Sequence, residues 1–289
     1  MFNPNLLKYD ILSDLFHYEP FVYFFFTLIV FWIGKIIYDF LTPFQLDQEL
    51  TEKDNKAIAL SFSGYLTGLG IVLWGILSDP ARTDFLNDLL NTFIWSMIAI
   101  ILLQIARLLM DKILLYRFDN IKELVDDKNI GTAAVEAGGY IGISLIISAV
   151  LKGESQNFII SLFETVVFFI IVIVGFVLFA FIYQKTTNYD LHDEIEKDNI
   201  AAGTAFGFSL TSIGIILSSY LYRSYSIVGF VAYLIIGIVL LTVSRFLLDK
   251  IILPKSPLDK EISQDKNWGA ALIEGSISLI IALIVTASF

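Results

Sequence analysis

The sequence predicts an all-α membrane protein with eight transmembrane helices. Hydrophobic residues make up 56% of the 289-residue chain, and the mean hydropathy is +0.75. Such a composition is too apolar for a soluble domain of this size. The apolar residues fall in runs of about 20, which are long enough to cross a bilayer as helices. A short polar motif also recurs four times, each time just before an apolar run, and such periodicity indicates an internal repeat.

The predicted elements follow one another in a regular order. An amphipathic segment, residues 1–19, comes first and is expected to lie in the membrane interface. Eight apolar spans follow, and the linkers between them alternate in character. Linkers one, three, five and seven are charged and carry the recurring motif, whereas the others are short. The predicted spans are 21–41, 57–77, 91–113, 130–150, 158–182, 200–221, 227–250 and 268–288.

The recurring motif, here called the Asn motif, is E-K-D-N or D-K-N at residues 52–55, 127–129, 196–199 and 265–267. It divides the chain into four parallel two-helix repeats. The repeats also pair into halves, because Arg107 and Arg245 are 138 residues apart (245 − 107), as are Glu136 and Glu274 (274 − 136). We therefore expect two tandem four-span domains, 20–153 and 154–289. Each repeat contains two spans, so all four should enter the membrane in the same orientation.

The distribution of basic residues predicts the orientation of the chain. Of the 19 Lys and Arg residues, only Lys8, Arg82, Lys152 and Arg223 lie on the side away from the Asn motifs. Cytoplasmic loops are enriched in Lys and Arg. The Asn motifs should therefore face the cytoplasm, and both termini should lie outside it.

The two spans of each repeat differ in composition. The even-numbered spans are rich in Gly, Ala, Ser and Thr, whereas the odd-numbered spans are rich in Phe, Ile, Leu and Val. Small residues spaced four apart let helix backbones approach closely. We therefore expect a close-packed inner layer of even spans and a lipid-facing outer layer of odd spans. The candidate packing pairs are Gly64 and Gly68, Gly138 and Gly142, Gly203 and Gly207, and Ala271 and Gly275.

The Asn motifs are the first candidate site. Asn satisfies free amides at a helix start, so capping is one role for Asn55, Asn129, Asn199 and Asn267. Asp would also cap, but only an amide both accepts and donates. The Asn side chains could therefore bridge neighbouring repeats at the cytoplasmic mouth. There a ring of acids could attract cations, although a lysine in each motif offsets the charge; these acids are Asp54, Asp127, Asp198 and Asp265.

Ionisable residues inside the spans are the second candidate site. Arg107 and Glu136 are separated by 29 residues (136 − 107), and so are Arg245 and Glu274 (274 − 245). Intramembrane charges are rare and usually paired. We expect a buried ion pair within each half. It acts either as a structural clamp or as a proton- or ion-responsive site.

The four motif regions carry a family resemblance. They read EKDNKAIALSFSGYLTG, DKNIGTAAVEAGGYIG, EKDNIAAGTAFGFSL and DKNWGAALIEGSIS. Each is similar to the bacterial inner-membrane family known as domain of unknown function 350, whose unit has four spans. The chain resembles two such units fused. The resemblance implies a multi-pass protein of the bacterial inner membrane, and it implies no activity.

The remaining features of the composition exclude several classes of function. The chain has no Cys and two His residues, so neither a metal site nor a cofactor is expected, and a catalytic thiol is excluded. The net charge of −10 argues against nucleic acid as a partner. The favoured hypothesis is a non-enzymatic membrane scaffold or subunit. The alternative is a small ion channel or transporter that uses the Arg/Glu pairs. The expected partners are the bilayer and either another protein or further copies of the chain.

Overall fold

A computed structural model describes residues 19–78, 84–151 and 157–288, and within these ranges the chain forms helices and no strands. Most of the expected amphipathic segment, residues 1–18, lies outside the described residues. Two π-helical turns, Gln48–Glu52 and Met110–Leu114, accompany the α-helices. The α-helices are α1 Glu19–Leu41, α2 Lys56–Leu77, α3 Phe85–Leu109, α4 Asn120–Val125, α5 Ile130–Leu151, α6 Phe158–Thr186, α7 Leu191–Glu196, α8 Ile200–Leu221, α9 Ile227–Ile251, α10 Leu258–Ser263 and α11 Trp268–Ser288.

The long helices match the eight predicted spans. Each is long and apolar enough to cross a membrane, so the prediction of an all-α, eight-span fold is confirmed. The short helices α4, α7 and α10, and the first π-helical turn, lie in the charged linkers. Every repeat therefore has one order: a long helix, a short helical segment, an Asn motif and a second long helix.

The second helices of the repeats form a continuous row. These inner helices, α2, α5, α8 and α11, pack side by side in chain order. The outer helices, α1, α3, α6 and α9, pack against the row; α6 lies on α5, and α9 lies on both α8 and α11. Within the described residues the row has two free edges, because α2 and α11 each have one inner neighbour.

Burial follows position in the row rather than layer alone. In the most apolar 18-residue stretch of α5 and of α8, 78% of the residues are buried. The same fraction in α11 is only 33%, equal to that of the outer helix α9. The outer helix α3, at 56%, equals α2. The even spans form the inner row that the sequence predicts, but their burial varies along the row. The cause of this variation is the open row, which leaves one side of each end helix without an inner partner in the described part of the chain.

The outer helices expose large apolar side chains, as a lipid-facing surface requires. Phe25 on α1 is 61% exposed and Phe163 on α6 is 68% exposed. Some outer residues instead point inward, and Phe169 on α6 is buried. Side-chain packing between the layers therefore positions the polar residues described next.

Candidate functional site

The four Asn motifs share one local structure. In each, a short helical segment ends at a residue with left-handed backbone, and the Asn that follows begins an inner helix. The backbone N–H of each Asn bonds to a Glu carbonyl five or six residues earlier, which closes the preceding turn in the manner of a helix C-cap. The left-handed residues are Asp54 (φ 47°), Lys128 (φ 53°), Asp198 (φ 55°) and Lys266 (φ 46°).

The side chain of each Asn bonds in two directions. Its Oδ1 accepts from amides in the first turn of the inner helix, as at Thr132 N, 3.0 Å from Asn129 Oδ1. In the first three repeats its Nδ2 donates to a carbonyl of the next repeat. One amide thus provides both the cap and the bridge that the sequence offered as alternatives. The bridging bonds run from Asn55 to Leu124 (2.9 Å), Asn129 to Ile195 (2.6 Å) and Asn199 to Ile262 (2.8 Å).

The fourth repeat differs because its Asn makes no bridge to a further repeat among the described residues. Asn267 caps α11 through Ala270 N at 3.2 Å, and its Nδ2 donates to Glu261 Oε2 at 2.8 Å. Its side chain is exposed, whereas Asn55, Asn129 and Asn199 are buried. The bridging carbonyl is the missing partner at this end of the row.

A Glu in each short segment completes the motif, although it lies outside the residues predicted from the sequence as candidate sites. Glu49 accepts from Asn55 Nδ2 at 3.0 Å, and Glu123 accepts from Asn129 Nδ2 at 2.8 Å. Burial raises the pKa of Glu123 despite its bond to Asn129. Burial acts on Glu49 too, but hydrogen bonds from Lys53 and Asn55 outweigh it and hold the pKa of Glu49 below its usual value. The signal was the spacing, since each Asn follows such a Glu by five or six residues.

The Asp residues of the motifs lie just before the inner helices, which form an open row. Asp127 pairs with Lys122 at 2.7 Å, and Asp54, Asp198 and Asp265 are exposed. The motif lysines also reach backward along the row: Lys128 Nζ donates to Lys53 O at 2.8 Å, and Lys266 Nζ donates to Lys197 O at 3.0 Å. A ring formed by the four acids stays a prediction.

The candidate packing residues lie at contacts between inner helices. A Cβ placed on Gly138 would lie 2.7 Å from Gly207 Cα, and one placed on Gly142 would lie 2.7 Å from Leu210 O. Such distances leave no room for a side chain. Ala271 is fully buried. The other Gly residues meet the neighbouring inner helix in the same way: Gly64 at Ala137, Gly68 at Ser144, Gly203 at Gly131 and Gly275 at Phe208.

The second half contains a closed cluster of buried charges between the layers. Arg245 Nε donates to Glu274 Oε1 at 2.9 Å, and Arg245 Nη2 donates to Asp259 Oδ1 at 2.7 Å. Tyr183 donates its hydroxyl to the same Glu274 oxygen at 3.1 Å. Arg245 and Glu274 are 8% and 2% exposed, so this is a buried ion pair with added hydrogen bonds. A cavity of about 10 Å³ beside it has room for one water molecule.

The first half is arranged differently, and the expected contact of Arg107 with Glu136 is not formed. Arg107 Nη2 donates to Leu41 O at 3.0 Å, and its guanidinium lies 5.5 Å from the centre of the Tyr38 ring. Glu136 instead accepts from Ser61. Arg107 also lacks a counterpart of Asp259, because the equivalent position in this half is an apolar residue, Ile121 (259 − 138).

Several buried polar atoms near these charges have no hydrogen-bond partner in the described part of the chain. They include Arg107 Nε, the Tyr140 hydroxyl and Glu274 Oε2. Tyr183, Ser61 and Asp259, which do bond to the buried charges, were not singled out from the sequence. Hydroxyl groups inside apolar runs carry no periodic signal, and only the packing of the two layers brings them to the carboxylates.

A second feature is an apolar groove of about 560 Å³ along the row of inner helices. Its walls come from all four inner helices, and it is apolar apart from Thr204 and Thr211 and the indole N–H of Trp268. Trp268 Nε1 donates to Thr204 Oγ1 at 3.2 Å. Among the described residues no group of three or more His, Asp or Glu side chains could hold a metal ion.

Comparison with known proteins agrees with this arrangement. The family model for Domain of Unknown Function (DUF350) matches residues 10–151 and again residues 157–289. A UPF0719 transmembrane protein of Aquifex aeolicus (strain VF5) is 27% identical over 172 residues, 57% of this chain and 60% of that protein. The UPF0719 transmembrane protein YshE of Bacillus subtilis (strain 168) is 25% identical over 126 residues, 44% of this chain and 92% of that protein.

No solved structure gives a significant match. The chain aligns with less than two thirds of the Aquifex aeolicus protein, 60% of its length. The two family matches together cover almost every residue and divide the chain between α5 and α6. The chain therefore belongs to the Domain of Unknown Function (DUF350) family, of which it carries two tandem copies.

Proposed function

We propose that this protein is a non-enzymatic scaffold of the bacterial inner membrane, serving a partner membrane protein. The observation that supports the proposal is that the Asn side chains of the motifs form hydrogen bonds within the protein. The side chains of Asn55, Asn129 and Asn199 are buried, and their amides donate hydrogen bonds that join one repeat to the next. A side chain held by a cap, a carboxylate and a carbonyl is fixed in place, as a structural element requires.

The surface of the chain supports the same proposal. Its outer helices present Phe, Ile, Leu and Val to the bilayer, and the charged linkers hold most of the 19 basic residues. That charge bias favours cytoplasmic Asn motifs and termini outside the cytoplasm. The motif side then offers a charged surface to the cytoplasmic part of the partner membrane protein. Asp126 and Glu196 are exposed acids on this surface.

Two measurements on the full-length chain test the scaffold role. Purified protein in liposomes should give no proton or cation flux above that of empty vesicles. The epitope-labelled chain, isolated from membranes after mild crosslinking, should recover one other membrane protein at a constant ratio. Replacing Asp126 and Glu196 with Lys, both exposed, should lower that recovery without changing the thermal stability. A flux above background, or recovery of the chain without any other protein, would contradict the proposal.

A second candidate function has its own observation. Arg107 Nε, the Tyr140 hydroxyl and Glu274 Oε2 are buried without partners in the described residues, and buried polar groups of this kind occur where a proton or ion binds. A small channel or transporter would then use Glu136 and Glu274. Under this hypothesis flux in liposomes is present, is lost in Glu136→Gln with Glu274→Gln, and is retained in the exposed control Asp126→Asn.

A further inference from the structure

The row of inner helices ends at two edges whose bonding groups match each other. We propose that copies of this chain associate head to tail, with α11 of one copy packing on α2 of the next in the way that α5 packs on α8 within the chain. The partner is therefore a second copy of this chain, in the same membrane orientation. This association is independent of the scaffold role, since a channel could assemble through the same edges.

The Asn bridges give the first argument. In three repeats the Asn amide donates to a carbonyl of the next repeat, namely that of Leu124, Ile195 or Ile262. At the α11 edge of the described row Asn267 makes no such bridge, and this residue is exposed. The carbonyl that occupies the equivalent position in the first repeat is Leu50, five residues before Asn55, as Leu124 is five before Asn129. A following copy would supply this carbonyl to Asn267.

The alternation of the motif gives the second argument. Repeats two and four have Lys at the left-handed position, and each Lys reaches back to the repeat before it in the same half. Repeat three has Asp198 there, and its carboxylate lies near the Ile130 amide across the junction between the halves. Repeat one also has an Asp, Asp54, and both Asp residues are exposed. The first repeat thus carries the junction form of the motif with no repeat before it.

Trp268 is the residue that would meet Asp54. It begins α11 as Ile130 begins α5, 138 residues earlier (268 − 130). Its backbone N–H in a preceding copy would therefore face Asp54 as the Ile130 N–H faces Asp198. The α11 edge thus has the equivalent of Ile130, and the α2 edge has the equivalent of Asp198. Together they would form the contact that the chain already makes at its central junction.

The helix surfaces give the third argument. At the central junction Gly138 and Gly207 bring α5 and α8 into backbone contact. Alignment of the motifs places Ser63 where Gly207 lies (207 − 144, with 144 = 199 − 55) and Ser276 where Gly138 lies (138 + 138). Ser63 and Ser276 are both exposed. A small residue is therefore retained at each free edge, at the depth where the occupied junction requires one.

The geometry of this contact determines the kind of assembly. Because the two surfaces differ, the contact is heterologous, and repeated heterologous contacts close into a ring when the rotation permits. The relative of Bacillus subtilis has about 137 residues, since 126 aligned residues are 92% of it. Its length is about half that of this chain. The central junction here joins two such halves covalently, and the proposed contact joins two chains without a covalent link.

Directed disulfide formation tests the proposal, and the absence of natural Cys residues makes the result unambiguous. One epitope-labelled chain carries Ser63→Cys and a differently labelled chain carries Ser276→Cys. Both are expressed together at low level and oxidised in native membranes. We expect a disulfide-linked heterodimer that contains both labels. Neither variant expressed alone should form a dimer, because each then presents a Cys on one edge only.

Matched controls separate this contact from random collision. The pair Trp32→Cys and Val239→Cys lies on exposed outer faces and should give no crosslink. In one control the chain carrying Ser63→Cys also carries Ser276→Leu, and its partner carries Ser276→Cys. The α2 edge that carries Ser63→Cys is unchanged in this control, so the heterodimer should be retained. Ser63→Leu in the chain carrying Ser276→Cys should likewise retain it. A bulky Leu at the neighbouring contact position, Ala59, of the Ser63→Cys chain should instead abolish it.

The outcomes decide the proposal in both directions. The fold of each variant is checked by its gel-filtration volume and its thermal unfolding in detergent, which should match those of the unsubstituted chain because every substituted residue is exposed. Heterodimer formation limited to the mixed pair supports head-to-tail association. Dimers from Ser63→Cys alone would show edges meeting their own kind, and crosslinks no stronger than those of the outer-face pair would show isolated chains. Either result overturns the proposal.

Discussion

Replacing Asn129 with Asp separates the capping role of this residue from its bridging role. Asp caps a helix as well as Asn does, so the bond to Thr132 N is retained. The two donated bonds, to Glu123 Oε2 at 2.8 Å and to Ile195 O at 2.6 Å, are lost because a carboxylate cannot donate. Asn129 is fully buried, so both acceptors become unsatisfied and a second carboxylate faces Glu123.

The expected cost follows from these two bonds. Each unsatisfied buried acceptor costs about 1–3 kcal/mol, which gives roughly 2–6 kcal/mol for Asn129→Asp. The matched control is Asn267→Asp, where the exposed amide makes one side-chain bond and no bridge. Its cost should stay below about 1.5 kcal/mol, the upper value for an ordinary hydrogen bond.

Thermal and denaturant unfolding of the purified chain in detergent measures both values. Asn129→Asp should unfold well before Asn267→Asp, which should stay close to the unsubstituted chain. Asn129→Ala adds the loss of the cap, about 1 kcal/mol, and should be less stable than Asn267→Ala. If Asn129→Asp is as stable as the unsubstituted chain, the Asn residues act as caps alone and the bridging reasoning is refuted.

Three further predictions concern packing, the buried charges and pH. Gly138→Leu should strongly destabilise the fold because α8 backbone lies where its side chain would go, whereas Phe25→Leu on the exposed face of α1 should shift the unfolding temperature little; equal shifts would contradict the packing of the row. Glu274→Gln and Arg245→Leu should each cost about 3–5 kcal/mol, and a Glu274→Leu/Arg245→Leu double variant should recover much of that loss; additive losses would show that the pair is uncoupled. Because the pKa of Glu123 is raised in the folded chain, its contribution to stability is present below its unfolded pKa of about 4.5 and is lost as the pH rises through the folded value. Glu123→Gln should reduce the dependence of the unfolding temperature on pH over that window. An unchanged pH profile would contradict the assignment.

The repeat architecture was predictable because it rests on sequence spacing. Apolar runs define spans, and the Asn motifs with their small-residue helices define the inner row. The contact of Arg245 with Glu274 also followed from spacing alone. These features depend on residues close in sequence or separated by a constant offset, so one chain contains the information.

The remaining features depend on how the layers meet. Arg107 and Glu136 have the same spacing as Arg245 and Glu274, yet Ser61 and Leu41 O take the two side chains instead. Nothing in the spacing distinguishes the halves, because the difference lies in Ser61, whose partner is 75 residues away. The open row was missed for a related reason: the inner helices have similar compositions, and only contacts show that α11 has one inner neighbour in the described residues.

The parallel arrangement of four repeats is the central claim, and single-cysteine labelling in intact cells tests it most directly. Cys is placed at one exposed residue of each motif region, Glu52, Asp126, Glu196 and Asp265, and at Asp84 and Ser226 on the opposite side. All four motif positions should resist a membrane-impermeant reagent until the cells are opened, while Asp84→Cys and Ser226→Cys should react at once. A single motif position that reacts from the outside while the other three stay shielded would contradict the parallel repeats.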